Sequence, residues 1–193
     1  MSGLVLVLVL ASAALHPLRE FYIKGNSTPE GVTLAVNICF GLLAGIHVFI
    51  EGMDPWTAFK VWPMMVISGL SLLLFYSSII ATMRSGDLSI YYPITRSSPL
   101  FVVVFSYLVL GQSYSPMMLG GIVLVLVGAF LLQHRPGTRL LSEPKILVLA
   151  FFAMCIHGVI TLADAEAVRK VEPAVYMFAL YIFVVPLMAV VLS

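Results

Sequence analysis

Apolar residues run along this chain in stretches too long for the core of a soluble domain, and short polar connections separate them. A helix needs about 20 mostly apolar residues to cross a bilayer, and within lipid it must make all of its backbone hydrogen bonds internally. Seven segments meet that requirement: Leu4–Ile23, Gly31–Ile50, Val61–Met83, Leu88–Leu110, Pro116–Gln133, Ile146–Val168 and Ala174–Leu192. The connections GNSTPE (Gly25–Glu30), EGMDPW (Glu51–Trp56) and HRPGTRLLSEPK (His134–Lys145) read as turn or interface segments from their Pro, Gly and Asp content. None is large enough to form a soluble domain. The first segment has no basic residues ahead of its apolar core, and apolar character resumes past Pro17, so a span is expected there rather than a cleaved leader.

Composition agrees with the pattern. Of the 193 residues 61% are hydrophobic and 10% charged, and the mean hydropathy is +1.09. Soluble chains run at about 45–50% and about 25%. The expected fold class is an all-α integral membrane protein, a polytopic helical bundle with the lipid bilayer as its main partner. A net charge of +1, no basic tract and no zinc-ligand spacing give no support for nucleic acid, a metal or a cofactor. GxSxG, HExxH and phosphate-loop patterns are absent, so an enzyme is not expected. Cys39 and Cys155 sit inside apolar runs and read as packing residues. Loop cations divide five (Lys24, Arg84, Arg135, Arg139, Lys145) against three (Lys60, Arg169, Lys170), too even a split to fix the orientation.

The hydropathy also suggests a repeat. His16 and His157 lie 141 residues apart, each after an apolar run, and that offset carries the second segment onto 172–191, where the seventh lies. The unit would be five helices, residues 1–134, then a loop at 135–145, then the first two helices of a second unit at 146–193. An odd number of crossings per unit inverts the second copy, a construction used by secondary transporters with a midplane site. On this reading three helices, or a partner chain, are needed to complete the cavity.

Polar residues inside the apolar runs carry the candidate chemistry, because such residues are costly at membrane depth. Tyr92, Arg96 and Pro99 are spaced i, i+4, i+7 and share a helical face. Pro93 and Pro99 are expected kinks or breaks, with Leu88–Tyr92 as a partly unwound entry to the helix. Arg96 is suited to an anionic group such as a carboxylate, and Ser97 and Ser98 are suited to hydrogen-bonding a solute or their own helix. Ser12, His16 and Arg19 repeat the spacing in the first segment, with Pro17 as a kink. His157, Thr161 and Asp164 repeat it in the sixth, where Asp164 and His157 are the candidates for coupling to protons. Asn37 and His47 are expected to hydrogen-bond between helices. Gly41 with Gly45, and Gly121 with Gly128, are expected to allow close helix packing.

The run GDLSIYYPITRSSPLFVVVFSYLVLGQ (Gly86–Gln112) resembles the fourth-helix signature of EamA-type transporters in the drug/metabolite transporter superfamily. That pattern ends in Leu-Gly-Glu, and here Gln112 replaces the acid. ALHPLREFYIKG (Ala14–Gly25) is similar to the first helix of the family, and IHGVITLADAEAVRKVEPAVY (Ile156–Tyr176) to the start of its second repeat. The resemblance implies a ten-helix carrier of two inverted repeats in a bacterial inner membrane, exporting small metabolites such as amino acids or related carboxylates. It implies a cavity lined by the first, third, fourth and sixth helices, with His16, Arg19, Tyr76, Tyr92, Arg96 and Asp164 as lining candidates. The alternatives are a membrane assembly or regulatory subunit that transports nothing and, more remotely, an intramembrane enzyme using His157 and Asp164.

Overall fold

The computed structural model describes residues 7, 10, 11, 28–85, 94, 95, 97–133 and 144–191. Among these the regular structure is entirely helical. The elements are α1 (Pro29–Ile50), a 3-10 helix (Pro55–Val61), α2 (Trp62–Ser85), α3 (Ser98–Leu110), α4 (Pro116–Gln133), α5 (Pro144–Ala167) and α6 (Pro173–Val191). Four stretches are long and apolar enough to cross a membrane: Pro29–Ile50, Pro55–Thr82, Leu147–Ala167 and Pro173–Val191. Of the expected first segment, only Val7, Leu10 and Ala11 fall among the described residues.

Proline starts these helices. Pro29, Pro55, Pro63, Pro99, Pro116, Pro144 and Pro173 each occupy a first or second helical position, where no earlier carbonyl waits for the missing N–H. Side-chain caps add to the signal at two starts. Asp54 accepts from the Trp56 N–H at 3.0 Å, and Ser115 Oγ accepts from the Met118 N–H at 3.2 Å. Gly111 ends α3 in the left-handed region at φ 63°, and the Gln112 N–H returns to the Ser106 carbonyl. Pro186 lies inside α6 and leaves the Ile182 carbonyl without its usual helical donor.

The packing order differs from the chain order. α1 packs on α6, α6 on α2, α2 on α5, and α5 on α3, so the two C-terminal helices insert between the earlier ones. Glycine makes the α1–α6 seam close. A Cβ on Gly41 would stand 3.0 Å from Tyr181 Cβ, and one on Gly45 would stand 2.7 Å from the Phe178 ring. Gly69 on α2 likewise faces Phe183 of α6. The residue numbers in the α1–α6 contacts run in opposite senses, as they do between α2 and α5, where Ser68 meets Asp164 and Ser78 meets Leu149. Both pairs are therefore antiparallel. Among the described residues, clusters of buried side chains fill the seams, one of them built on Val61, Ala167, Val171, Tyr176 and Leu180.

Two expectations are corrected. No described residue comes within 4 Å of where a Cβ on Gly121 or Gly128 would stand, so these glycines do not mediate close packing among the described helices. Asn37 is fully buried but donates at 2.7 Å to the Thr33 carbonyl of its own helix, and His47 is exposed in the last turn of α1.

Candidate functional site

The α5 helix gathers the polar residues of the bundle. His157 and Asp164 lie two turns apart on one face, and that face is turned toward α2. Ser98 Oγ and His157 Nδ1 are 2.9 Å apart, and the imidazole lies tilted against Phe75 with ring centres 5.1 Å apart. Ser98 is buried at the first turn of α3, where Pro99 restarts the helix after a turn at Ser97. The Ser97 N–H closes that turn on the Ile94 carbonyl at 3.0 Å. The turn aims Ser98 across at α5 instead of back along its own helix, while the expected unwound entry at Leu88–Tyr92 lies outside the described residues.

Asp164 makes the second contact. Its Oδ1 accepts from Ser68 Oγ of α2 at 2.5 Å and from the Tyr176 hydroxyl of α6 at 2.6 Å. One carboxylate oxygen thus joins three helices. Thr161, on the same face by spacing, is exposed and donates to the His157 carbonyl at 2.8 Å. It stands apart from both contacts.

A cavity of about 530 Å³ opens between α2, α3 and α5. Its walls are apolar: Met64 and Ile67 from α2, Phe101 and Phe105 from α3, Val159 and Leu162 from α5. Gln112, Tyr114, Glu166 and Arg169 form a polar mouth at one end. There Tyr114 donates to Gln112 Oε1 at 3.1 Å, and Glu166 pairs with Arg169 at 3.5 Å and Lys170 at 2.8 Å. These exposed ion pairs contribute little stability, because solvent screens them. At the other end Phe101 lies directly on Gly158, one turn from the Ser98–His157 contact. Ser98, Phe101, Val102 and Phe105 follow helical spacing, so one face of α3 carries both the hydrogen bond and the cavity wall.

The sequence-derived candidates divide accordingly. Ser98 and His157 meet between α3 and α5, Asp164 sits where α5 meets α2 and α6, and Ser97 is the N-cap residue of α3. Tyr76 is buried among Leu73, Val184 and Met188 in the α2–α6 seam, edge-on to Phe75. His16, Pro17, Arg19, Tyr92, Pro93 and Arg96 lie outside the described residues. His157 meets Ser98 while Asp164 meets Ser68 and Tyr176, and the described residues hold no cluster of metal-ligating side chains. Ser68 and Gly158 carried no sequence signal, because a lone small residue in an apolar helix is the ordinary case.

A helical membrane bundle with an apolar cavity, a polar mouth and buried polar contacts on facing helices has the build of a solute carrier. The model of the EamA-like transporter family matches residues 2–133, and the chain belongs to that family. The match covers α1 to α4 and the segment before them, while α5 and α6 lie beyond it. No curated protein and no solved structure matches the chain.

Proposed function

We propose that this membrane transporter is a secondary carrier that exports a small metabolite, an amino acid or a related carboxylate, across a bacterial inner membrane by alternating access. The observation that carries the reading is the cavity between α2, α3 and α5, because it combines an apolar chamber with a polar mouth. The transported solute occupies that chamber, and no chemical conversion accompanies its passage.

The antiparallel contact of α1 with α6 supports an inverted repeat of residues 1–134 and 146–193. The 141-residue offset carries 31–50 onto 172–191, and α6 spans Pro173–Val191. Equivalent helices of inverted copies cross the membrane in opposite directions, as these two do. The reading assigns proton coupling to Asp164 and His157, and the solute's anionic group to Arg96.

Reconstitution into liposomes loaded with a panel of labelled amino acids and carboxylates tests the proposal. The expected result is efflux of at least one solute, reduced by about tenfold or more in Leu162→Trp, which fills the chamber. Equal efflux from a correctly inserted Leu162→Trp protein removes this cavity from the path. Absence of efflux for every solute favours the non-transporting subunit.

A further inference from the structure

We propose that the connection between α1 and α2 is an interfacial anchor, lying along the boundary between lipid headgroups and acyl chains with its aromatic face in the membrane. The connection is the 3-10 helix Pro55–Val61 and the Trp62 that follows. A 3-10 helix has three residues per turn, so side chains at i and i+3 lie one above the other. Trp56, Phe59 and Trp62 fall on that period and are 72%, 61% and 58% exposed. Ala58 and Val61, on the same period one row around, are 2% and 0% exposed. The short helix is thus amphipathic in an unusual sense: one row seals against the bundle, where Ala58 meets Val175 and Val48, and an aromatic row points away.

The surroundings identify what the aromatic row meets. This end of the bundle carries Glu51, Asp54, Lys60, Glu166, Arg169, Lys170 and Glu172, which mark the level of the aqueous boundary. Below that level the flanks of α1 and α2 are apolar and exposed at Phe49, Ile50, Leu70 and Leu74, and these form the lipid-facing surface of spanning helices. The aromatic row continues that surface up to the charged level. Tryptophan favours this depth, because its large ring is apolar while its indole N–H keeps a polar partner. Asp54 fixes the segment's start through the Trp56 N–H and, through its carbonyl, the Thr57 hydroxyl at 2.8 Å. A segment so fixed sets the depth at which α2 enters the membrane.

The chain contains two tryptophans, and both belong to this row, so tryptophan emission, excited where tyrosine does not absorb, reports on it alone. The protein is reconstituted in phosphatidylcholine vesicles whose acyl chains carry bromine either near the headgroup or near the chain end. The expected result is quenching roughly twofold or more stronger with the shallow bromines, in Trp56→Phe and Trp62→Phe as in the parent. Emission quenched by neither lipid means that protein, such as a second copy, covers the row, and overturns the proposal. Stronger quenching by deep bromines, or quenching only by aqueous iodide, overturns it too.

Discussion

Asp164 and Tyr176 stand on either side of the turn joining α5 to α6, and the tyrosine hydroxyl donates a 2.6 Å hydrogen bond to Asp164 Oδ1. Ser68 donates to the same oxygen from α2, so the turn is tied to the helix it packs against. The backbone turn alone, closed by the Lys170 and Val171 N–H groups on the Ala167 carbonyl, fixes no third helix. The carboxylate does.

Removing one of its donors is therefore a measurable loss. Tyr176→Phe keeps the ring in its buried cluster and deletes the hydroxyl, and the expected cost is about 1–2 kcal/mol. Ser68→Ala is expected to cost a similar amount. The double variant should lose more than the sum, because Asp164 Oδ1 is then left without either donor. Unfolding in detergent micelles, run as a double-mutant cycle, checks both amounts. Simple additivity would mean that the two bonds do not share an acceptor energetically.

Glycines inside apolar helices should behave oppositely according to what they face. Gly45→Ala places a methyl group 2.7 Å from the Phe178 ring, and the α1–α6 seam must open. Overpacking of that kind costs about 1–3 kcal/mol. Gly121→Ala meets no described side chain and replaces glycine in a helix interior, so it is expected to be neutral or stabilising by up to about 1 kcal/mol. Thermal unfolding of the two variants side by side is the check. Equal losses would mean that α4 packs as tightly as α1.

Asn37 presents a different imbalance. Its Nδ2 is satisfied by the Thr33 carbonyl, but its Oδ1 is buried with no donor within reach. An unsatisfied buried acceptor costs about 1–3 kcal/mol. Asn37→Leu, close in size and lacking the polar group, is expected to raise stability by about 1 kcal/mol. A loss of stability instead would show that Oδ1 meets a donor, water included, in the native membrane.

These contrasts show which parts of the molecule a sequence can disclose. Hydropathy places α4 at the expected Pro116–Gln133 and α1, α5 and α6 within about two residues of expectation, since lipid imposes one length and one composition on every span. Partner choice is another matter. The insertion of α6 between α1 and α2 depends on small residues meeting Phe178, Tyr181 and Phe183, and a glycine pair in an apolar helix, four apart at Gly41 and Gly45 or seven apart at Gly121 and Gly128, does not say what it will face. Asp164 and His157 were legible because an ionisable group in an apolar run is conspicuous. Ser68 was not, because serine ordinarily bonds to its own helix, as Ser77 does to the Leu73 carbonyl. Ser98 was legible as a polar residue beside Pro99, but its partner, 59 residues away, depends on packing alone.

Phe101 and Gly158 give the sharpest test of the cavity. The Phe101 ring rests on the bare α-carbon side of Gly158 and forms one wall of the chamber. Gly158→Ala has no room for its methyl group while Phe101 stays, so the ring must swing away from α5. The expected outcomes are a stability loss of about 1–3 kcal/mol and reduced solute flux. Adding Phe101→Leu supplies a smaller, flexible side chain, and Gly158→Ala/Phe101→Leu should recover most of the stability lost by Gly158→Ala alone. Unfolding measurements and proteoliposome flux on the three variants decide the matter. Recovery of stability without recovery of flux would assign the Phe101 ring to the solute path, whereas recovery of both would make it a packing residue. No recovery of either would mean that the strain at Gly158 comes from a neighbour other than Phe101.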